Sequence, residues 1–226
     1  MRRDGYGVGQ RYRARLAKAL AAICVVMGFG FGGVHLAVAA TAPLKFMSVS
    51  AGFTYTCGVL LPDLASSHPV VCWGDDQYGQ ASPPSSTNKY DILRTVSAGA
   101  FHACGVLSGA FATCWGENNH GQASPPRLPF TLVSAGYDFT CGLEPADYIV
   151  CWGDNSWAQA TPPSGRFTSL SVNWHHGCGV RDDATVACWG SNVDGESSPP
   201  RDTLFTSVSA GHWHACAVRT NGTVAC

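Results

Sequence analysis

Cysteine and histidine are the residues whose types and spacing could do chemistry in this chain. Ten of the eleven cysteines fall into five pairs: Cys57/Cys72, Cys104/Cys114, Cys141/Cys151, Cys178/Cys188 and Cys216/Cys226. Four of these pairs are spaced Cys-x9-Cys. In three units a histidine stands two residues before the first cysteine (His102, His176, His214), but Tyr55 and Phe139 hold that place in the other two. Tyrosine and phenylalanine are not zinc ligands, and Cys-x9-Cys lacks the close ligand spacing of structural zinc sites. The pairs therefore read as disulfides, with no metal and no cofactor expected. His175, His176, His212 and His214 form a dense histidine cluster. Nucleophilic catalysis also needs a nucleophile and an orienting group, and no serine or free thiol is singled out, so no catalytic residue is assigned. Asp75-Asp76, Glu117, Asp154 and Asp194 follow Trp-Gly steps. They lack the twelve-residue ligand pattern of a calcium loop and read as polar turn residues. Tyr78, His120, Trp157, Trp174, His175 and Trp213 fall in loops or at strand starts. They are the candidate binding-face residues, because exposed aromatics anchor interfaces; burial between repeats is the competing reading.

The elements that must position these groups repeat along the chain. An anchor recurs five times, at Ser48–Gly52, Thr95–Gly99, Leu132–Gly136, Ser169–Asn173 and Ser207–Gly211. Successive steps are 47, 37, 37 and 38 residues, and the first is lengthened by insertions around Pro62–His68 and after Pro84. Each unit continues with a cysteine, an apolar pair, a turn, and a strand ending Cys-Trp-Gly, as at Cys72-Trp73-Gly74 and Cys188-Trp189-Gly190. A polar loop such as Asp75–Gln80 follows, then Pro-Pro at 83–84, 125–126, 162–163 and 199–200. The short apolar or alternating runs, rich in β-branched and aromatic residues and bounded by Gly, Asn, Asp and Pro, are strands. Periods of this length mark a repeat architecture.

The cysteine spacing agrees with a hairpin. With a three-residue turn, Cys-x9-Cys places the two residues directly opposite each other, roughly 4.5–5.5 Å apart at Cα. That overlaps the roughly 4.4–6.8 Å that a disulfide accepts. In the last hairpin Gly222 suits the left-handed position of such a turn; Ala184 in the fourth repeat is strained there. Asn221-Gly222-Thr223 is also a glycosylation sequon, relevant only in a eukaryotic host.

The chain's two ends differ in kind. Residues 1–39 carry six basic residues against one acid, then an apolar run through Leu20–Phe31 and a small-x-small site at Ala37-Val38-Ala39. That order describes a secretory signal peptide. An uncleaved anchor is the alternative, since the uncharged stretch is long enough to span a bilayer. Cys24 and the glycine run Gly28–Gly33 lie in this segment, so the run is not read as a phosphate-binding loop. The remainder holds eight basic and fourteen acidic residues, which offers no footprint for a nucleic-acid backbone. Residues 40–226 are thus expected to be a secreted, periplasmic or cell-surface domain, touching membrane only if residues 1–39 are retained. Disulfides persist in such compartments.

The recurring Ser-Val-Ser-Ala-Gly-x-x-His-x-Cys, followed by Val-x-Cys-Trp-Gly-x-Asn-x-x-Gly-Gln, resembles the repeat of the regulator of chromosome condensation family over about residues 44–226. The resemblance implies a β-propeller with up to four strands per blade, Trp and Gly packed against neighbouring blades, and loops gathered on two faces. Nuclear members act as nucleotide-exchange factors and touch chromatin. An exported, acidic chain departs from that pattern, so their activity is not carried over. The cysteine ladder is more similar to the extracellular propellers of crinkly-type plant receptor kinases and to secreted bacterial relatives. The unit ending Gly-Gln-x-x-x-Pro is similar to a bacterial propeller that inhibits β-lactamase. The expected fold is all-β: a β-propeller of about 37-residue repeats with four complete blades and a partial fifth. Family propellers commonly have about seven blades, so the chain is expected to be truncated; a five-bladed ring and closure by dimerisation are the alternatives. The expected function is a non-catalytic extracellular or cell-surface binding domain for a protein or surface ligand. A secreted enzyme inhibitor is the second reading, ahead of a secreted enzyme or an exchange factor.

Overall fold

The computed structural model describes residues 44–61, 70–84, 93–201 and 203–226. The expected targeting segment, residues 1–39, lies outside the described residues. Five antiparallel three-stranded sheets follow one another along the chain. The first is β1 (Phe46–Ala51), β2 (Tyr55–Leu60) and β3 (Val70–Gly74). The second is β4 (Leu93–Ala98), β5 (His102–Leu107) and β6 (Ala112–Gly116). The third is β7 (Leu132–Ala135), β8 (Phe139–Leu143) and β9 (Ile149–Gly153). The fourth is β10 (Phe167–Asn173), β11 (His176–Arg181) and β12 (Val186–Gly190), and the fifth is β13 (Phe205–Ala210), β14 (Ala215–Arg219) and β15 (Val224–Ala225). Each sheet is a blade, and the partial fifth repeat also completes three strands. The resemblance allowed four strands per blade, but the described residues form three. Where a fourth would run, the chain makes a turn and then a Pro-Pro pair, and proline cannot donate to a ladder.

The hairpin register is the one the cysteines require. Cys57 pairs with Cys72, Cys104 with Cys114, Cys141 with Cys151 and Cys178 with Cys188 across adjacent strands. All five pairs are disulfide-bonded, with Cα–Cα distances of 4.0–4.1 Å. That is slightly closer than the interval expected from the spacing. The Leu107 N–H donates to Phe111 O, and counting by twos along the ladder makes Cys104–Cys114 a non-hydrogen-bonded pair, the closer kind. The three-residue turns put Ala110, Asp147, Ala184 and Gly222 at φ 66°, 68°, 66° and 83°.

Blades stack through their inner strands, since β4, β7, β10 and β13 each pack on the inner and middle strands of the blade before. Phe130, Phe167 and Phe205 stand just ahead of or at the start of these strands and are about 1% exposed or less. Burying one such ring contributes roughly 1.5–3 kcal/mol. Two repeated hydrogen bonds set the stacking. The serine at the third position of each of the first four anchors accepts from the backbone of the next inner strand: Ala98 N–H to Ser50 Oγ, Ala135 N–H to Ser97 Oγ, Val172 N–H to Ser134 Oγ and Ala210 N–H to Ser171 Oγ, all at 2.9–3.0 Å. The Trp of Cys-Trp-Gly donates Nε1–H to the loop of the preceding blade, from Trp115, Trp152 and Trp189 to the carbonyls of Gln80, Gln122 and Gln159, each at 2.9 Å. The anchor glycine is required by close approach, because a Cβ on Gly99 would lie 2.4 Å from Gly136 O of the next blade.

Candidate functional site

Two loops per blade meet on one face, because inner strands end, middle strands begin and third strands end on the same side of each sheet. The first loop is a tight turn closed by the anchor glycine, whose N–H donates to the carbonyl three residues on: Gly52 to Tyr55, Gly99 to His102, Gly136 to Phe139 and Gly211 to His214, at 2.7–2.9 Å. Two residues are pushed outward between these points. They are Phe53-Thr54, Ala100-Phe101, Tyr137-Asp138, Trp174-His175 and His212-Trp213, each doublet carrying an aromatic ring.

The second loop is the polar loop that follows Trp-Gly. It is surface at its tip, but its glutamines are fully buried: Gln80, Gln122 and Gln159 are 0% exposed. Each glutamine Oε1 accepts the N–H of the residue two before it, from Tyr78, His120 and Trp157, at 2.7–2.8 Å. Asp75 and Asp154 take the glutamine Nε2 of Gln80 and Gln159 at 2.9 and 2.6 Å. In the fourth blade Glu196 replaces the glutamine, accepting Ser191 Oγ–H at 2.6 Å and Asp194 N–H at 2.8 Å. A buried side chain thus fixes the backbone that presents Tyr78, His120 and Trp157.

The rings form one connected arc. Phe101 meets Phe53 at 6.0 Å between centroids, Tyr78 at 5.3 Å and Tyr137 at 5.5 Å. Tyr137 meets Trp174 at 4.2 Å and His175 at 5.6 Å. Trp174 meets His212 at 3.8 Å and Trp213 at 5.9 Å, and Trp157 joins through His175 at 6.4 Å. Trp174 is held at φ 35°, an uncommon conformation outside glycine that clusters at functional positions. Phe53, Tyr137, Asn173, Trp174 and His212 border a depression of about 210 Å³. Phe53, Tyr78, Trp157 and Trp213 remain 42–64% exposed.

Of the six residues expected on a binding face, Tyr78, Trp157, Trp174, His175 and Trp213 belong to this arc. His120 lies on the same face, with Nε2 4.0 Å from Asp138 Oδ2. Sequence reasoning missed Phe53, Phe101 and Tyr137, and treated His212 only as part of a histidine cluster. The signal was the doublet after each anchor glycine, aromatic in every repeat. The histidine cluster is split: His176 is 1% exposed beneath the face with Nε2 unpartnered, whereas His214 is exposed. Burial lowers the pKa of His175, with Asp154 opposing and His212 adding to the shift. Burial also raises Asp138, partly offset by His120. At Asp154 burial pushes the carboxyl up, but hydrogen bonds from Ser156 and Gln159 outweigh it and the pKa falls. Among the described residues no group of three or more His, Cys, Asp or Glu is arranged to hold a metal ion.

Similar antiparallel blades stacked one on the next, through a Ser bond at every junction and a Trp bond at the first three, are the architecture of a β-propeller. Residues 94–122 and 167–196 match the family model of the regulator of chromosome condensation repeat. The ectodomain of the receptor kinase CR4 of Physcomitrella patens is 27% identical, with a TM-score of 0.68, over 80% of this chain and 51% of that one. The CRINKLY WD40 ectodomain of the receptor kinase ACR4 of Arabidopsis thaliana is 27% identical, with a TM-score of 0.68, over 82% and 65%. Prp20p of Saccharomyces cerevisiae shares the fold at 17% identity and a TM-score of 0.65, over 80% and 57%. The chain therefore spans about half to two thirds of the length of these structures. Two of its five repeats thus match the regulator of chromosome condensation repeat, and the chain shares the β-propeller fold of these structures.

Proposed function

We propose that this chain is a non-catalytic extracellular binding domain that meets a protein partner through the arc from Phe53 to Trp213. The observation that carries this reading is the arc itself. Aromatic rings from all five blades converge on one face, and Phe53, Tyr78, Trp157 and Trp213 stay exposed there while Phe101, Tyr137 and Trp174 are half-buried between them. Aromatic side chains supply most of the energy at interface centres. Catalysis has no comparable support: His102 Nε2 and Thr140 Oγ1 are 2.8 Å apart, but both residues are fully buried. Likeness to receptor-kinase ectodomains and five disulfides support an oxidising, extracellular setting.

The test uses the full, oxidised chain to capture partners, then compares a Trp157→Ala/Trp174→Ala variant with an Arg127→Ala/Arg201→Ala variant on the opposite face. The first should weaken a genuine partner by tenfold or more, on the order of one hot-spot residue, and the second should leave it unchanged. The reverse pattern would move the site to the other face. The intact mass of protein recovered from the medium, alkylated without reduction, tests the export reading. A chain starting near Ala40 without free thiols is expected, and free thiols would remove the extracellular setting.

A further inference from the structure

Charge is sorted along the propeller axis among the described residues. Lys45, Arg94 and Arg166 lead into inner strands, Arg181 and Arg219 close middle strands, and Arg127 and Arg201 follow Pro-Pro pairs. All seven therefore lie at the end of the blades away from the aromatic arc. That far end also carries Glu144, Asp147, Asp182 and Asp183, so its charge is mixed. The aromatic face carries Asp75, Asp76, Glu117, Asp138, Asp154 and Asp194, the buried Glu196 beneath them, and, among the described residues, no lysine or arginine.

These carboxylates have neutral partners. Asp76 accepts from Ala81 N–H and Ser82 Oγ, Asp154 from Ser156 and Gln159, and Glu117 from Asn119 Nδ2. Among the described residues none is paired with a lysine or arginine, and His120 Nε2 stands 4.0 Å from Asp138 Oδ2. Asp138 lies directly beside Tyr137, whose phenol is raised by burial and then by the negative charges of Asp138 and Glu117. The face thus combines exposed π-surfaces with carboxylates that have no lysine or arginine partner among the described residues. That pair of features is matched by a guanidinium, which stacks on an aromatic ring and forks onto a carboxylate at once.

We propose that the partner presents an extended, arginine-bearing protein segment that lies along the arc, its guanidinium groups stacked on rings such as Tyr137 and Trp174 and reaching Asp138 and Glu117. This deepens, and rests on, the reading of the arc as a protein-binding face. An extended segment suits the shape, because the rings form a strip crossing successive blades rather than a closed pocket. The far end, with lysine and arginine among its charges, attracts such a segment less than the acidic face does, which gives the encounter a direction.

The experiment titrates the full, oxidised chain with a short Gly-Ser peptide carrying arginines, and with matched peptides carrying glutamate or alanine, following tryptophan emission and heat. Saturable binding of the arginine peptide alone is expected, weakening as sodium chloride rises. The Glu117→Gln/Asp138→Asn variant should bind about fivefold more weakly, and Phe101→Ala about threefold more weakly. Arg166→Ala, on the far end, should bind as the parent does. Unfolding midpoints of each variant separate loss of binding from loss of fold. The proposal is overturned if the arginine peptide does not bind, if the alanine peptide binds equally well, or if the carboxamide variant binds as tightly as the parent. Each of those outcomes leaves the protein-binding face itself standing, whereas loss of partner capture only in the far-end variant would remove both.

Discussion

Acidification should weaken this propeller before its carboxylates protonate, and His102 is the reason. The ring is 0% exposed. Thr140 donates its hydroxyl to Gln122 O at 3.0 Å, so His102 Nε2, 2.8 Å from Thr140 Oγ1, must carry the proton and donate. His102 Nδ1 has no partner. A second proton would place a positive charge in an apolar interface with no acceptor, and burial accordingly lowers the pKa from 6.5 to about 4. The unfolded chain binds that proton below about pH 6.5, while the folded chain resists until about pH 4. Stability is therefore whole above about pH 6.5, declines through the window between, and levels off below about pH 4. The full window is worth about 3 kcal/mol, and the step from pH 7 to pH 5 about 2 kcal/mol. Urea unfolding of the oxidised protein at a series of pH values measures it. The control comes from the protein itself, since Phe139 fills the same position in the next blade with 0% exposure. His102→Phe should flatten the decline by that amount while His176, lowered in the same direction by burial, acts alike in both proteins. Parallel stability–pH curves for the two proteins would refute the assignment.

Three further outcomes follow from the repeated contacts. Ser97→Ala removes the acceptor of the Ala135 N–H at 2.9 Å, and should cost about 1–2 kcal/mol, read as a lower thermal midpoint with an unchanged circular dichroism spectrum. Ala158 sits at φ 59° where the equivalent Gly79, Gly121 and Gly195 sit at 80°, 84° and 87°. Ala158→Gly should therefore stabilise by about 1 kcal/mol, checked in urea. Replacing both Cys141 and Cys151 by alanine opens a hairpin whose cysteines are ten residues apart, and should cost about 2–3 kcal/mol, measured as the shift between the two proteins under non-reducing conditions.

The sequence by itself determined whatever is decided within one repeat. Cys-x9-Cys, the turn between and the alternating runs fix a hairpin whose register and disulfide depend only on residues a few positions apart. The Pro-Pro pairs likewise excluded ladder strands wherever they fell. Burial of Gln80, Gln122 and Gln159 was not legible, because a glutamine in a polar loop looks like surface until the Trp of the next blade claims its carbonyl. The doublets after the anchor glycines were visible as residues but not as a site. Tyr137 and Trp174 are 37 positions apart in the chain, and their rings come within 4.2 Å only once the blades stack. Stacking also sorts the charges, sending residues before the inner strands to one end and those after the anchors to the other. Local hydrogen bonds and covalent bridges were therefore readable from spacing. The shared face required the tertiary structure, because only stacked blades turn a period along the chain into contact in space.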